Sequence, residues 1–393
     1  MNHRSILPIT FQNLAGGVGS HLRILRHGSE AERRVTRRCL KLLPRVGTIN
    51  LLSGMFGALD HALYPAFTRV RPTAPVFVVA PARSGTTLLY ELLASDPQFV
   101  GPALYKTIFP ALSLQRAIRA IGSRLGEERS REVFSKMHRD LEEADGVHRT
   151  RMNELEEDSP FFGMRFASPT SIRFFPYWSG IQQRARLDDC SPAARRRVMN
   201  RYYGMIQRTL YEHPGRTYLA KSVCSAGRIA SLLERFPDAR MIHIVRHPFK
   251  VIPSALHMHW VMGHIGVEPA LRPPLGPGVF CHELFEAMIF TYQRLLEWER
   301  RLSADRWLTL RFDQLVADPR SAVDRVYERF GLTRSPAAAR ALDRAIERSP
   351  RHRARVRPPT LATFGLSRAY VRSRLHEVFA AYELDPVLGG DRE

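Results

Sequence analysis

The sequence predicts an α/β fold in which a central parallel sheet is flanked by helices, preceded by a helical, basic N-terminal extension. Short apolar, β-branched runs recur at "VFVVA" (76–80), "TYLAKS" (217–222), "RMIHIV" (240–245) and "WLTLRF" (307–312). Amphipathic stretches rather than tight turns separate them, which is the pattern of βαβ units. The first run is apolar at every position, as expected of a strand buried on both faces. A chain of 393 residues can bury a core of this size.

Taken in order, residues 1–71 read as a basic helical extension, and "RPTAP" (71–75) punctuates before the first strand. Arg4 follows Met1 closely, but no apolar run with a small-residue cleavage site comes after it, so a secretory signal is not expected. The segment "VGTINLLSGMFGALDHALYPAF" (46–67) is interrupted by Asp60, His61 and Pro65. It falls short of the roughly 20 apolar residues of a spanning helix. A packing helix is expected there; the alternative is a helix lying on anionic lipid, with "RRVTRRCLKLLPR" (33–45) supplying the basic side. The main domain is expected over 72–385, with a mostly helical, charged insertion at about 103–200. The Pro/Gly-rich stretch 264–280 is long enough to be a lid.

Charge points to an anionic partner: 59 Lys and Arg against 38 Asp and Glu give a net charge of +21. Only five of the basic residues are Lys, and no nucleic-acid-binding signature accompanies them, so nucleic acid is not the expected partner. Cys39, Cys190, Cys224 and Cys281 are scattered, without zinc or redox spacing. A reducing cytoplasm is the expected compartment, with a peripheral contact at the inner membrane surface as the variant of it.

The stretch "VFVVAPARSGTTLLYELLASDPQ" (76–98) reads as a buried strand, a small loop and a helix. Thr86, Thr87, Leu88, Leu92 and Leu93 begin the helix, and Asp96-Pro97 stops it. Free N–H groups and the positive end of the helix dipole attract an oxyanion at such a place. Gly85 allows close backbone approach, while Thr86 and Thr87 add hydroxyls. The ATP-binding pattern G-x-x-x-x-G-K-(S/T) would need Gly at Ala80 and Lys at Thr86, which weakens a nucleotide kinase reading. Arg83 is the cation of the loop.

The loop "PARSGTT" (81–87) resembles the 5′-phosphosulfate loop of sulfotransferases that use 3′-phosphoadenosine 5′-phosphosulfate (PAPS), P-x-(R/K)-S-G-T-T. The branch it is most similar to is the bacterial one related to carbohydrate and tyrosylprotein sulfotransferases. "YLAKSVCSAGRIASLLERFPDARMIHIVRHPFKVIPSALH" (218–257) resembles the block that carries the 3′-phosphate site. "LRFDQLVADPRSAVDRVYERFGL" (310–332), "NELEEDSPFF" (153–162), "SDPQFVGPALYKTIFP" (95–110) and "TFGLSRAYVRSRLHEVFAAY" (363–382) resemble further segments, so the likeness spans roughly 70–385. The chain departs from the pattern at His247, where Asp or Asn is usual, at Val223 for Pro and at Phe312 for Tyr. After the first helix, where many relatives have Glu, "GPALYK" offers Lys106.

The resemblance implies a P-loop-type three-layer fold and sulfuryl transfer from PAPS to a hydroxyl or amine, with no obligatory metal. It implies PAPS contacts from Arg83, Ser84, Gly85, Thr86, Thr87, Arg246 and Ser254, with Arg83 and Lys221 at the departing phosphate. Charge grows on that phosphate as the sulfuryl group leaves, so cations and backbone donors are needed there. For the general base the acidic segment offers Glu156, Glu157 and Asp158. Adjacent residues point apart, and Glu157 is the first choice because Phe161 and Phe162 would desolvate it. His148 and His282 are lesser candidates. The acceptor is left open among glycan, lipid and phenol; aromatic residues of the insertion (Phe161, Phe162, Phe166, Phe174, Phe175, Tyr177, Trp178) fit either a ring-bearing partner or a core. The alternatives are a P-loop nucleotide kinase and a basic membrane-surface or nucleic-acid-binding protein that keeps the fold without the activity.

Overall fold

The computed structural model describes residues 9–121, 123–124, 154–184, 186–264, 267–348 and 359–384. Five strands, β1 (Val76–Val79), β2 (Phe99–Val100), β3 (Thr217–Lys221), β4 (Arg240–Val245) and β5 (Trp307–Arg311), form one sheet in the order β2-β3-β1-β4-β5. Every neighbouring pair is parallel. The four apolar runs of the sequence are four of these strands; β2, at two residues, is too short to show a pattern.

Strand periodicity divides the core into two layers. Phe77, Val79, Ala220 and Met241 pack on one side with Met199, Tyr202 and Ile206 of the helix Pro192–Glu212. Val76, Val78, Leu219, Ile242 and Leu308 pack on the other with Leu88, Leu89 and Leu92. Those leucines belong to helix α3 (Thr86–Ala94), which follows β1 directly. Both faces of β1 are therefore covered, and all four of its residues are buried. β1 lies between β3 and β4, so chain connections diverge at its C-terminal end, where α/β sheets form their ligand crevice.

The extension forms two helices, α1 (Ile9–His27) and α2 (Glu30–Leu63), the latter opened by a Ser29/Glu32 capping box. Both grip the segment 164–178 by side-chain bonds to its backbone. Asn13 Nδ2 donates to Phe166 O at 2.7 Å, His21 Nε2 to Phe174 O at 2.7 Å and Asn50 Nδ2 to Met164 O at 2.7 Å. Gly17 packs flush on Phe175, whose ring would lie 2.3 Å from an added Cβ. Of the insertion aromatics, Phe161, Phe162, Phe166, Phe175 and Trp178 are buried, so these five are core.

Asp60 fastens the far end of α2. Its fully buried carboxylate accepts from Arg208 Nε at 2.6 Å, Leu112 N at 2.9 Å and Ser113 N at 2.8 Å. Removing one partner of a buried pair leaves an uncompensated charge. Asp60→Ala is therefore expected to lower unfolding free energy by about 3–5 kcal/mol in a denaturant titration, and a loss under about 1 kcal/mol would contradict this anchor.

Candidate active site

Between β1 and α3 the loop Pro81–Gly85 turns sharply. Arg83 has φ +71° and Gly85 has φ +85°, both in the left-handed region. A Cβ at Gly85 would also lie 2.6 Å from the Phe312 ring, so glycine is required there twice over. Arg83 tolerates its conformation because the loop is held from outside: Arg246 Nη1 donates to Arg83 O at 2.6 Å, and Arg83 Nε donates to Ser254 Oγ at 3.1 Å. Strained non-glycine backbone of this kind persists only where surroundings over-determine it.

The second block closes over the loop. Arg246 follows β4, and its guanidinium lies 3.9 Å from the centre of the Phe312 ring. Tyr292 donates to Arg246 O at 2.8 Å, fixing the residue from behind. Ser254 lies on the helix Pro248–Gly263, whose N-cap is His247. The imidazole Nδ1 accepts from Phe249 N at 3.2 Å, doing the capping work of the usual Asp or Asn. Phe312 likewise serves as the flat surface under Arg246. Burial lowers the pKa of Arg83, and burial and then the charge of Arg83 lower that of Arg246, so positive charge is crowded here. Ser84 Oγ is fully buried and has no hydrogen-bond partner among the described residues. Two guanidiniums, a helix N-terminus and an orphan hydroxyl form a donor set that fits phosphate or sulfate oxyanions.

Lys221 ends β3 and joins the loop to the acidic segment. Its Nζ donates to Thr87 Oγ1 at 3.3 Å and pairs with Glu156 at 2.9 Å. Burial acts to lower its pKa, but the Glu156 and Glu157 charges outweigh this and hold it raised. Backbone bonds pin the acidic segment: Leu104 N to Glu154 O, Glu156 N to Pro102 O and Asp158 N to Lys221 O. Glu157, desolvated and next to the Glu156 and Asp158 charges, has its pKa raised to about 7, with Lys221 and Arg173 opposing. Asp158 is structural; it accepts from Tyr202 at 2.7 Å, Arg228 at 3.0 Å and also Ser222.

The structure thus links Arg83, Arg246 and Ser254 in one set of contacts and Thr87, Lys221 and Glu156 in another, the stretch Arg83–Thr87 carrying one member of each. Lys106 pairs instead with Glu212 at 2.7 Å. His282 is exposed on the helix Val279–Arg301, and His148 lies outside the described residues. Two groups escaped sequence reasoning. Arg173 reaches Glu157 electrostatically from a segment with no motif. His257 stands one turn after Ser254, its pKa lowered by burial and then by Arg83, so it is neutral at pH 7; the i, i+3 spacing was the available signal. Beside the loop, a small, partly open cleft is bounded by Ala82, Thr170, Val223, His259, Leu284 and Met288. Its wall is largely apolar.

Known proteins resemble this chain in sequence and in fold. Residues 75–336 match the profile described as the Sulfotransferase family. Two curated relatives, the omega-hydroxy-beta-dihydromenaquinone-9 sulfotransferases Stf3 of Mycobacterium bovis and Mycobacterium tuberculosis, are 28% identical over 260 residues. That match covers 66% of this chain and 63% of theirs. Among solved structures, sulfotransferase STF1 of Mycobacterium tuberculosis superposes with a TM-score of 0.70 at 17% identity, covering 93% of this chain and 92% of that one. STF9 of Mycobacterium avium gives 0.71 at 17% identity, over 96% and 92%. With a parallel three-layer sheet and a phosphate-type loop, and with two thirds of its length matched by the family profile, the chain belongs to the sulfotransferase family.

Proposed function

We propose that the protein transfers a sulfuryl group from PAPS to the hydroxyl of an apolar, lipid-like acceptor. The observation that carries this is the cationic loop itself, with Arg83 tied to Arg246 and Ser254 on one side and Thr87 tied to Lys221 on the other. PAPS supplies the activated sulfuryl group on its 5′-phosphate. Arg83 and the amides of Ser84 to Thr87 bind that phosphate and neutralise the charge that grows on it. Arg246 and Ser254 take the 3′-phosphate, Arg246 by a charge-assisted bond. Lys221 holds a second positive charge behind Thr87.

Glu157 is the base assigned to the acceptor proton. Glu156 is bound to Lys221 and also accepts from Glu157 N at 2.9 Å, which stabilises it as a carboxylate and makes it a poor base. Glu157, with a pKa near 7, is half deprotonated at neutral pH and basic enough to take a proton. The acceptor class rests on the name of the Stf3 relatives and on the largely apolar pocket beside Ala82.

Arg83→Ala is expected to cost roughly 100- to 1000-fold in transfer of label from sulfur-labelled PAPS, with circular dichroism unchanged. Unchanged turnover would remove the loop from the mechanism. Offered fractionated lipid, glycan, peptide and small-phenol pools, the enzyme is expected to label the lipid pool. Label confined to another pool would overturn the acceptor class and leave the transfer reaction standing.

The sign of the pH dependence follows from the raised pKa of Glu157. The base form is lost as pH falls through about 7, so the rate should drop about tenfold per pH unit below that point and level off above it. Glu157→Gln should flatten this limb and cost about 100- to 10000-fold in rate while donor affinity is kept. A limb that survives in the variant would assign the base elsewhere, with neutral His257 the next residue to substitute.

A further inference from the structure

We infer that α2 carries a docking face for an anionic membrane surface, laid along its solvent side in two halves. The carboxyl-terminal half presents Leu51, Met55, Leu59 and Leu63, which are 64%, 60%, 43% and 53% exposed. Such exposure is unusual for four large apolar side chains in succession on one helix. At helical spacing they form a single line, with Gly54, Ala58 and Ala62 beside them, all exposed. The amino-terminal half of the same side presents Arg37, Lys41 and Arg45, also exposed and four residues apart.

Charge decides the occupant. Glu30 begins the helix and pairs with Arg33, Arg34 and Arg37. After Glu32, the one remaining acid of the helix is Asp60, which is fully buried on the opposite side against Arg208. The solvent side beyond the first turn is therefore cationic, then apolar, with no acid to repel a phosphate headgroup. An interfacial helix combines these parts: apolar side chains sink below the headgroups and basic ones meet anionic lipid. Contrary to the expectation that 46–67 falls short of a spanning length, α2 is by length and composition apolar enough to cross a bilayer, but its other side is occupied. Val35, Cys39, Val46, Ser53 and Asp60 are buried, and the bonds from Asn50 and Asp60 tie it into the protein. A helix fixed along one side can lie on a surface and cannot be threaded through it. Cys39 on the packed side donates to Arg173 O, so the helix that would rest on lipid also backs the acidic part of the site. The inference stands on α2 alone and does not depend on the acceptor.

The test is flotation of the full chain with phosphatidylglycerol-rich and with pure phosphatidylcholine vesicles. Strong flotation with the anionic vesicles, weakened by added salt, is expected. Arg37→Gln/Lys41→Gln/Arg45→Gln should weaken partitioning about fivefold per residue removed. Leu51→Ser/Met55→Ser/Leu59→Ser should weaken it about tenfold per side chain. These residues are exposed, so melting curves and bisphosphate affinity should match the parent chain. The inference is overturned by any of four results: no flotation with either vesicle, equal flotation of parent and variants, retention through alkaline extraction as for a spanning helix, or an apolar variant that turns a dimer into a monomer without altering flotation.

Discussion

Lys221 is 3% exposed at the end of β3, and a buried ammonium group is tolerated only when partners replace the water it has lost. Much of the site can be read as the answer to that demand. Glu156 supplies the countercharge, Thr87 supplies a hydroxyl, and the price is that a second carboxylate, Glu157, is left near charges of its own sign. The acidic segment cannot drift from Lys221, because the amide of Asp158 bonds to the Lys221 carbonyl and the Asp158 carboxylate is held by Tyr202 and Arg228. One lysine on a central strand thereby couples the anion loop to the candidate base.

The other half of the site answers a backbone constraint. The sharp turn between β1 and α3 places Arg83 in a left-handed conformation, and this costs energy in the absence of support. Arg246 and Ser254 provide the support, and they are the residues proposed to take the donor's second phosphate, so that proposal rests on the contacts that hold the loop. The N-terminal helices extend this framework outward. They bind the backbone of 164–178, and Arg173 in that segment is one of the charges acting on Glu157.

What could be seen in the sequence follows from what is local. The strands of four or more residues show as apolar runs, and the loop shows as a strand followed by a helix start. Arg246 and Ser254 are eight residues apart on one strand and helix, so their cooperation is carried by spacing alone. Strand order, β2, and the meeting of Arg173 with Glu157 are products of chain reversal and leave no periodic trace. The insertion aromatics were ambiguous because a core and a ring-binding pocket demand the same residue types; only burial separates them, and it places Phe161, Phe162, Phe166, Phe175 and Trp178 in the core. The departure at His247 could be noted but not judged from sequence, since an imidazole nitrogen accepts a capping bond only in a suitable rotamer and tautomer.

The central claim is that the Arg83 loop and the Arg246/Ser254 pair form one site for two phosphates on a single nucleotide. Titration calorimetry with adenosine 3′,5′-bisphosphate and with 5′-AMP tests it most directly. Charge-assisted contacts to the additional phosphate should make the bisphosphate bind about 10- to 150-fold more tightly. Equal affinity for the two nucleotides would contradict the account.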